Sequence, residues 1–128
     1  MPSTQIIFYR DDKGVPVRDW LSELRRKDKR AYAKCVVRIR QLAQLGHELR
    51  RPLADYLEED IYELRIRRGH VNYRVLYFFH GQNVAVLAHS ITKEDVIPRA
   101  DLARAIERKK AFAENPKQHT YEEDINRA

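Results

Sequence analysis

A single cysteine, four glycines and five prolines among 128 residues are scarce resources, and each scarcity excludes something. One thiol, Cys35, closes no internal disulfide, and no metal-ligand spacing accompanies it. It falls mid-helix on an apolar stripe and reads as a small core residue. The opening MPSTQIIFYR lacks a basic segment followed by an apolar one, so no secretory signal is expected. The apolar run Val75–Phe79 is far too short to span a bilayer, which points to a cytoplasmic protein without a membrane partner. Internal repeats and low-complexity segments are missing. No helix-turn-helix spacing or recognition helix stands out, which disfavours a small DNA-binding domain.

What the chain has instead is charge. Hydrophobic residues make up 43% and charged residues 34%, with a net charge of +6 and an isoelectric point near 9.6. A polyanionic partner, nucleic acid or acidic protein, fits that balance. The excess is segregated. Arg25 to Arg51 holds ten Lys/Arg against Asp28 and Glu48, whereas Leu53 to Glu63 holds five carboxylates and no base. Solubility alone accounts for many such blocks, so charge by itself assigns no activity.

The length suits one domain with a real core. Gln5–Arg10 reads as a short strand closed by the turn Asp11-Asp12-Lys13-Gly14. Pro16 opens a helix with Trp20, Leu21 and Leu24 at core spacing. The charged junction Arg25–Arg30 marks a break. A second helix runs to about Leu45 on the stripe Tyr32, Val36, Ile39, Ala43, with Gly46 as its C-cap. His47 to Leu57 reads as a loop. Three strands follow, roughly Ile61–Arg67, Tyr73–His80 and Asn83–Thr92, the last two joined by Gly81-Gln82 in the manner of a type II′ turn. Pro98 opens a last helix that ends at Asn115-Pro116. The predicted order is β-α-α-β-β-β-α, an α+β domain over residues 1–116, with a polar tail, 117–128, expected to fray. The middle of the second of the three strands is apolar on both faces. The sheet should therefore be covered on both sides, by the helical hairpin on one, with the last helix against the other or along an edge.

The most informative stretch is Ile61–Phe79, IYELRIRRGHVNYRVLYFF: two β-rich runs around the spacer Arg68-Gly69-His70-Val71-Asn72. Alternation puts Glu63, Arg65 and Arg67 on one face of the first strand and Tyr62, Leu64 and Ile66 on the other. The second strand adds Arg74. Guanidinium forks on a rigid sheet suit phosphate oxygens; an ordinary solvated face with an ion pair to Glu63 would carry the same residues.

The combination of ELR, a short spacer, YRVLYFF, a strand ending His89-Ser90-Ile91-Thr92-Lys93, then Pro98 and a basic helix resembles the RelE/ParE superfamily, and within it the HigB-type toxins of type II toxin–antitoxin modules. The resemblance runs from about Ile6 to about Ala113. It implies a RelE-like fold and a ribosome-dependent endonuclease that cuts messenger RNA by metal-independent attack of the ribose 2′-OH, needs no cofactor, and is neutralised by a HigA-like antitoxin. Carried over residue by residue, it offers Arg65, Arg74 and Lys93 as phosphate-facing catalytic cations and His89 as the preferred proton carrier, with His70, Tyr73 and Glu63 behind it. Thr92 and Glu94 stand where many relatives are basic. Arg67, Arg68, Lys34, Arg38 and Arg40 are the expected RNA-binding residues. Each has a plainer alternative: Arg74 holding a carboxylate such as Glu63, Lys93 as plain surface, His89 buried and hydrogen-bonded. A ParE-like inhibitor of DNA gyrase and a catalytically degenerate RNA-binding relative are the competing functions.

Overall fold

The structure, a computed structural model, describes residues 3–92 and 96–123. Its elements are β1 (Gln5–Tyr9), α1 (Pro16–Lys27), α2 (Lys29–Leu45), a single 3₁₀ turn (Gly46–Glu48), β2 (Ala54–Glu58), β3 (Ile61–Arg68), β4 (Val71–His80), β5 (Val84–Thr92), α3 (Arg99–Glu114) and β6 (Thr120–Tyr121). One six-stranded sheet runs in the order β2-β3-β4-β5-β1-β6. It is antiparallel except where β1 pairs with β5. This is the predicted α+β class, consistent with a RelE-like fold, with two strands added. Among the described residues no helix is long and apolar enough to cross a membrane.

The sheet carries a core on each face. Leu64, Ile66, Tyr73, Val75 and Tyr77 pack with Val17, Leu21, Leu24, Cys35, Val36 and Ile39 of the helical hairpin. On the opposite face Ile61, Leu76, Phe78, Val86 and Ile91 pack against Leu102, Ala105 and Phe112 of α3. Strand alternation therefore assigns the faces as predicted. Cys35 is wholly buried in the first core, and burial pushes its thiol up to about 12, so it packs as a hydrophobe.

The helix break falls on one residue. Asp28 ends α1 and caps α2, its carboxylate accepting from the Ala31 amide at 3.1 Å. Gly46 ends α2 at φ +53°, a conformation costly for residues with a Cβ, and any Cβ there would collide with the Thr4 hydroxyl.

Four expectations need correction. The stretch read as the loop His47–Leu57 contains β2, which pairs with β3 from Ala54↔Leu64 to Glu58↔Ile61. Its half-buried acidic positions, its exposed Tyr56 and a bulge after Tyr56 hide the period of two. The β3–β4 spacer is a two-residue turn, Gly69-His70, because Arg68 already pairs with Val71. The β4–β5 connection has three residues, since His80 pairs with Val84. The tail does not simply fray: Thr120–Tyr121 pairs with Phe8–Tyr9.

Candidate functional site

β3 and β4 set Arg65 directly opposite Arg74, and Glu63 opposite Leu76, so the two arginines and the glutamate share the α3 face of the sheet. Glu63 is only 3% exposed. Its Oε1 lies 3.2 Å from Arg65 Nε and 3.4 Å from Arg74 Nε, and the two guanidinium groups thus bracket one buried carboxylate. These are ion pairs rather than well-aligned hydrogen bonds, for Glu63 Oε1 and Arg65 Nε have no partner of good geometry. Arg65 Nη2 also reaches Asp55 Oδ2 at 3.3 Å. The carboxylates keep Arg65 more firmly protonated than a free guanidinium, with the Glu63 contact first among the causes. The ion pair that the sequence offered as the plainer alternative for Arg74 is therefore present.

Arg65 and Arg74 also form the ridge between two clefts. One, of about 360 Å³, is lined by Arg38, Arg65, Arg67 and Arg74 together with Pro52, Leu53, Ile66, Asn72 and Tyr73. It opens where β2 has ended and β3 continues, so the edge of β3 beyond Leu64 has no strand beside it; the Arg65 amide instead donates to Leu53 O at 2.8 Å. The other, of about 440 Å³, lies toward α3 and adds Asp55, Glu58, Glu63 and Arg99 to the two ridge arginines. Four guanidinium groups around one cleft suit an anion in a part-buried setting, where charge is less screened than on open surface.

The remaining predicted residues divide sharply. Arg38 belongs to the first cleft; its Nη1 donates to Gln41 Oε1 at 2.9 Å, and burial makes its proton easier to lose than that of a free guanidinium. Arg67 lines the same cleft and its Nε donates to Gly69 O at 2.9 Å. Lys34 Nζ donates to Arg67 O at 3.3 Å, beside the cleft, whereas Arg40 is exposed elsewhere on α2. Arg68, an expected RNA contact, clamps the hairpin to the sheet. Its Nε sits 3.0 Å from both carboxylate oxygens of Asp28, and this contact leads the causes that hold the Asp28 carboxyl below its ordinary range. Tyr73 is buried, with Trp20 edge-on to its ring. Lys93 and Glu94 lie outside the described residues.

His89 illustrates what a single bulge does. Leu76 pairs with His89 but Tyr77 pairs with Leu87, leaving Ala88 as the extra residue. That extra residue turns His89 onto the α3 face, where Nε2 lies 2.6 Å from Asp101 Oδ1 and Nδ1 accepts from Arg108 Nη1 at 3.0 Å. Both ring nitrogens are thus occupied in fastening α3 to the sheet. Burial, opposed by Asp101 and assisted by Arg108, pulls its pKa below the usual histidine value. The unfolded chain then binds more protons than the folded one just below the ordinary value of about 6.5, and stability falls as pH drops through that window. Wild-type stability is accordingly expected to fall on acidification from about pH 6.5, by up to about 1.4 kcal/mol per pH unit, and the melting temperature with it. A His89→Gln variant should show a flatter slope; parallel melting curves for the two proteins would contradict this.

His70 is exposed in the β3–β4 turn. His47 stacks on Phe79, His80 meets Phe112 edge-on, and His119 stacks on Tyr9.

The segment that builds this site, from α1 into α3, is also the segment with a family signature. Residues 19–110 match the family model described as phage-derived protein Gp49-like. The chain belongs to the Gp49-like family. This is a RelE-like toxin family of toxin–antitoxin modules, so a Gp49-like chain is of toxin type and has an antitoxin as its expected counterpart. The matched span contains Arg38, Glu63, Arg65, Arg67, Arg74 and His89. No curated protein matches the sequence.

One feature of the site lies beyond the sequence reading: Asp55 stands on β2, where the sequence predicts a loop, although the acidic run Leu53–Glu63 is an available signal. The ion pairing to Glu63 is among the sequence expectations, and the cross-strand register adds that both arginines share that one carboxylate.

Proposed function

We propose that this Gp49-like chain is a HigB-type, ribosome-dependent endonuclease of messenger RNA, acting in the cytoplasm and silenced by a HigA-like antitoxin. The observation that carries the reading is the convergence of Arg38, Arg65, Arg67 and Arg74 on one cleft. Attack of a ribose 2′-OH on the adjacent phosphorus expels the 5′-oxygen and builds negative charge on the non-bridging oxygens. Fixed cations beside that charge stabilise the transition state more than the ground state. Arg65 and Arg74 are the phosphate-facing pair in this reading and Glu63 holds them in register; Lys93, outside the described residues, keeps the catalytic role that the resemblance implies for it. His89 reaches proton transfer only by leaving Asp101 and Arg108, so in this reading it positions α3.

A second reading has a specific observation behind it. Glu63 offsets part of the charge on both arginines, which suits a relative that binds RNA without cutting it.

Pulse expression followed by primer extension on cellular transcripts separates the possibilities. Cuts inside translated frames that vanish when translation is blocked are the expected result. Intact messengers with ribosome-associated protein would favour the binding-only relative. Intact messengers with blocked supercoiling by gyrase would favour a ParE-like inhibitor.

A further inference from the structure

On the other side of Asp55 lies a third cleft, of about 590 Å³, that neither the family assignment nor the arginine cluster uses. That volume falls within the ~300–1,000 Å³ of small-molecule sites. Its walls include His47, Leu49, Arg50, Arg51, Tyr56 and Tyr62. Tyr56 is 49% exposed, unusual for a large ring on a strand. It is backed rigidly: Tyr62 meets it edge-on at 5.2 Å between centroids, Tyr62 in turn stacks on Tyr77 and packs edge-on to Phe79, and His47 stacks on Phe79. An exposed ring on a fixed aromatic base, flanked by exposed guanidinium groups, has the composition of a nucleobase platform.

The cleft is also joined to the proposed phosphate site. Arg51 Nε and Arg65 Nη2 approach the same oxygen, Asp55 Oδ2, at 3.1 and 3.3 Å. One carboxylate thus ties a guanidinium at the mouth of the aromatic cleft to one on the arginine ridge, and the two clefts meet at the β2 edge.

We infer that the Tyr56–Tyr62 cleft is a base-stacking subsite for an unpaired nucleotide of single-stranded RNA next to the one held at Arg65. The inference rests on the RNA-handling reading above. A single-stranded RNA pentanucleotide carrying 2-aminopurine reports it directly, since stacking on a ring quenches the fluorescence of that base. Wild-type protein at low salt should quench it, and Tyr56→Ala should weaken binding about tenfold, within the range for loss of one base–aromatic stack. Tyr56→Phe should restore both quenching and affinity. An oligonucleotide abasic at the reporter position should bind wild type and Tyr56→Ala alike. Equal affinity and quenching in wild type and Tyr56→Ala would overturn the subsite and leave the RNA reading standing. Wild-type protein that binds none of the pentanucleotide, with thermal melts showing it folded, would also overturn the subsite, whereas the ribosome-dependent reading falls only if primer extension finds no cuts in translated frames.

Discussion

Arg65→Ala and Arg74→Ala should each lower single-turnover cleavage of ribosome-bound messenger about 10²–10³-fold, the usual loss when one preorganised donor is removed from a charged transition state. The two guanidinium groups are cross-strand neighbours on a rigid sheet and line the same two clefts. Little reorganisation then separates their resting positions from a geometry that grips one phosphate. If their role were only to hold Glu63, stability would change without a specific defect in the chemical step. The variants should differ in stability, because the Arg74 side chain is 16% exposed and that of Arg65 39%. Arg74→Ala should melt lower than Arg65→Ala, while both stay folded and still sediment with ribosomes. Arginine-to-lysine changes should recover part of the rate, since a point charge cannot reproduce the planar fork. Near-wild-type cleavage by both alanine variants would end the assignment of these residues to the reaction.

Glu63→Ala is expected to be the most damaging single change to this side of the sheet. Removing one partner from a buried ion pair costs about 3–5 kcal/mol, because the remaining charge stays desolvated. The loss here should be nearer about 2–3 kcal/mol, since Arg65 can turn toward water whereas Arg74 is more confined. At a few degrees per kcal/mol, the melting temperature should drop by about 10 °C. Glu63→Gln should melt between the two, keeping the shape and losing the charge. Cleavage should fall in both variants even at temperatures where they remain folded, because the arginines lose the group that aligns them. A Glu63→Ala protein that melts within about 2 °C of wild type would show that the buried carboxylate does not hold this face together.

The layers of this molecule were legible in its sequence because strand alternation and helix spacing are local. Tyr73, Val75, Tyr77 and Phe79 announce one face of β4, and Leu76 and Phe78 the other. Pro16, Gly46 and Pro98 mark helix ends for equally local reasons. What stayed hidden depends on partners distant in the chain or on a single inserted residue. β2 carries Asp55 and Glu58 at positions where a strand signal would want apolar side chains, and only pairing with β3 makes it a strand. The orientation of His89 turns on Ala88, which nothing in the local pattern marks as a bulge. Arg68 looked like one more basic residue until α2 placed Asp28 against it. The basic run of α2 was visible as composition, but composition does not say that Arg38 enters the cleft while Arg40 turns away.

The parallel pairing of β1 with β5 imposes an order of events on synthesis. Gln5–Tyr9 leaves the ribosome before every other element described above, yet its neighbours are Val84–Leu87 and Thr120–Tyr121. At about 5–20 residues per second, the strand waits on the order of ten seconds for its first partner. Until then the nascent chain can hold the α1–α2 hairpin and the β2–β4 meander, but the sheet remains open at the place β1 will occupy. Leu87 and its neighbours must close against β1 before the hairpin has a complete floor to rest on. A newly made chain therefore becomes a finished sheet only after Thr120–Tyr121 has been made, and chains interrupted before Val84 expose the unpaired β1 edge to chaperones and proteases.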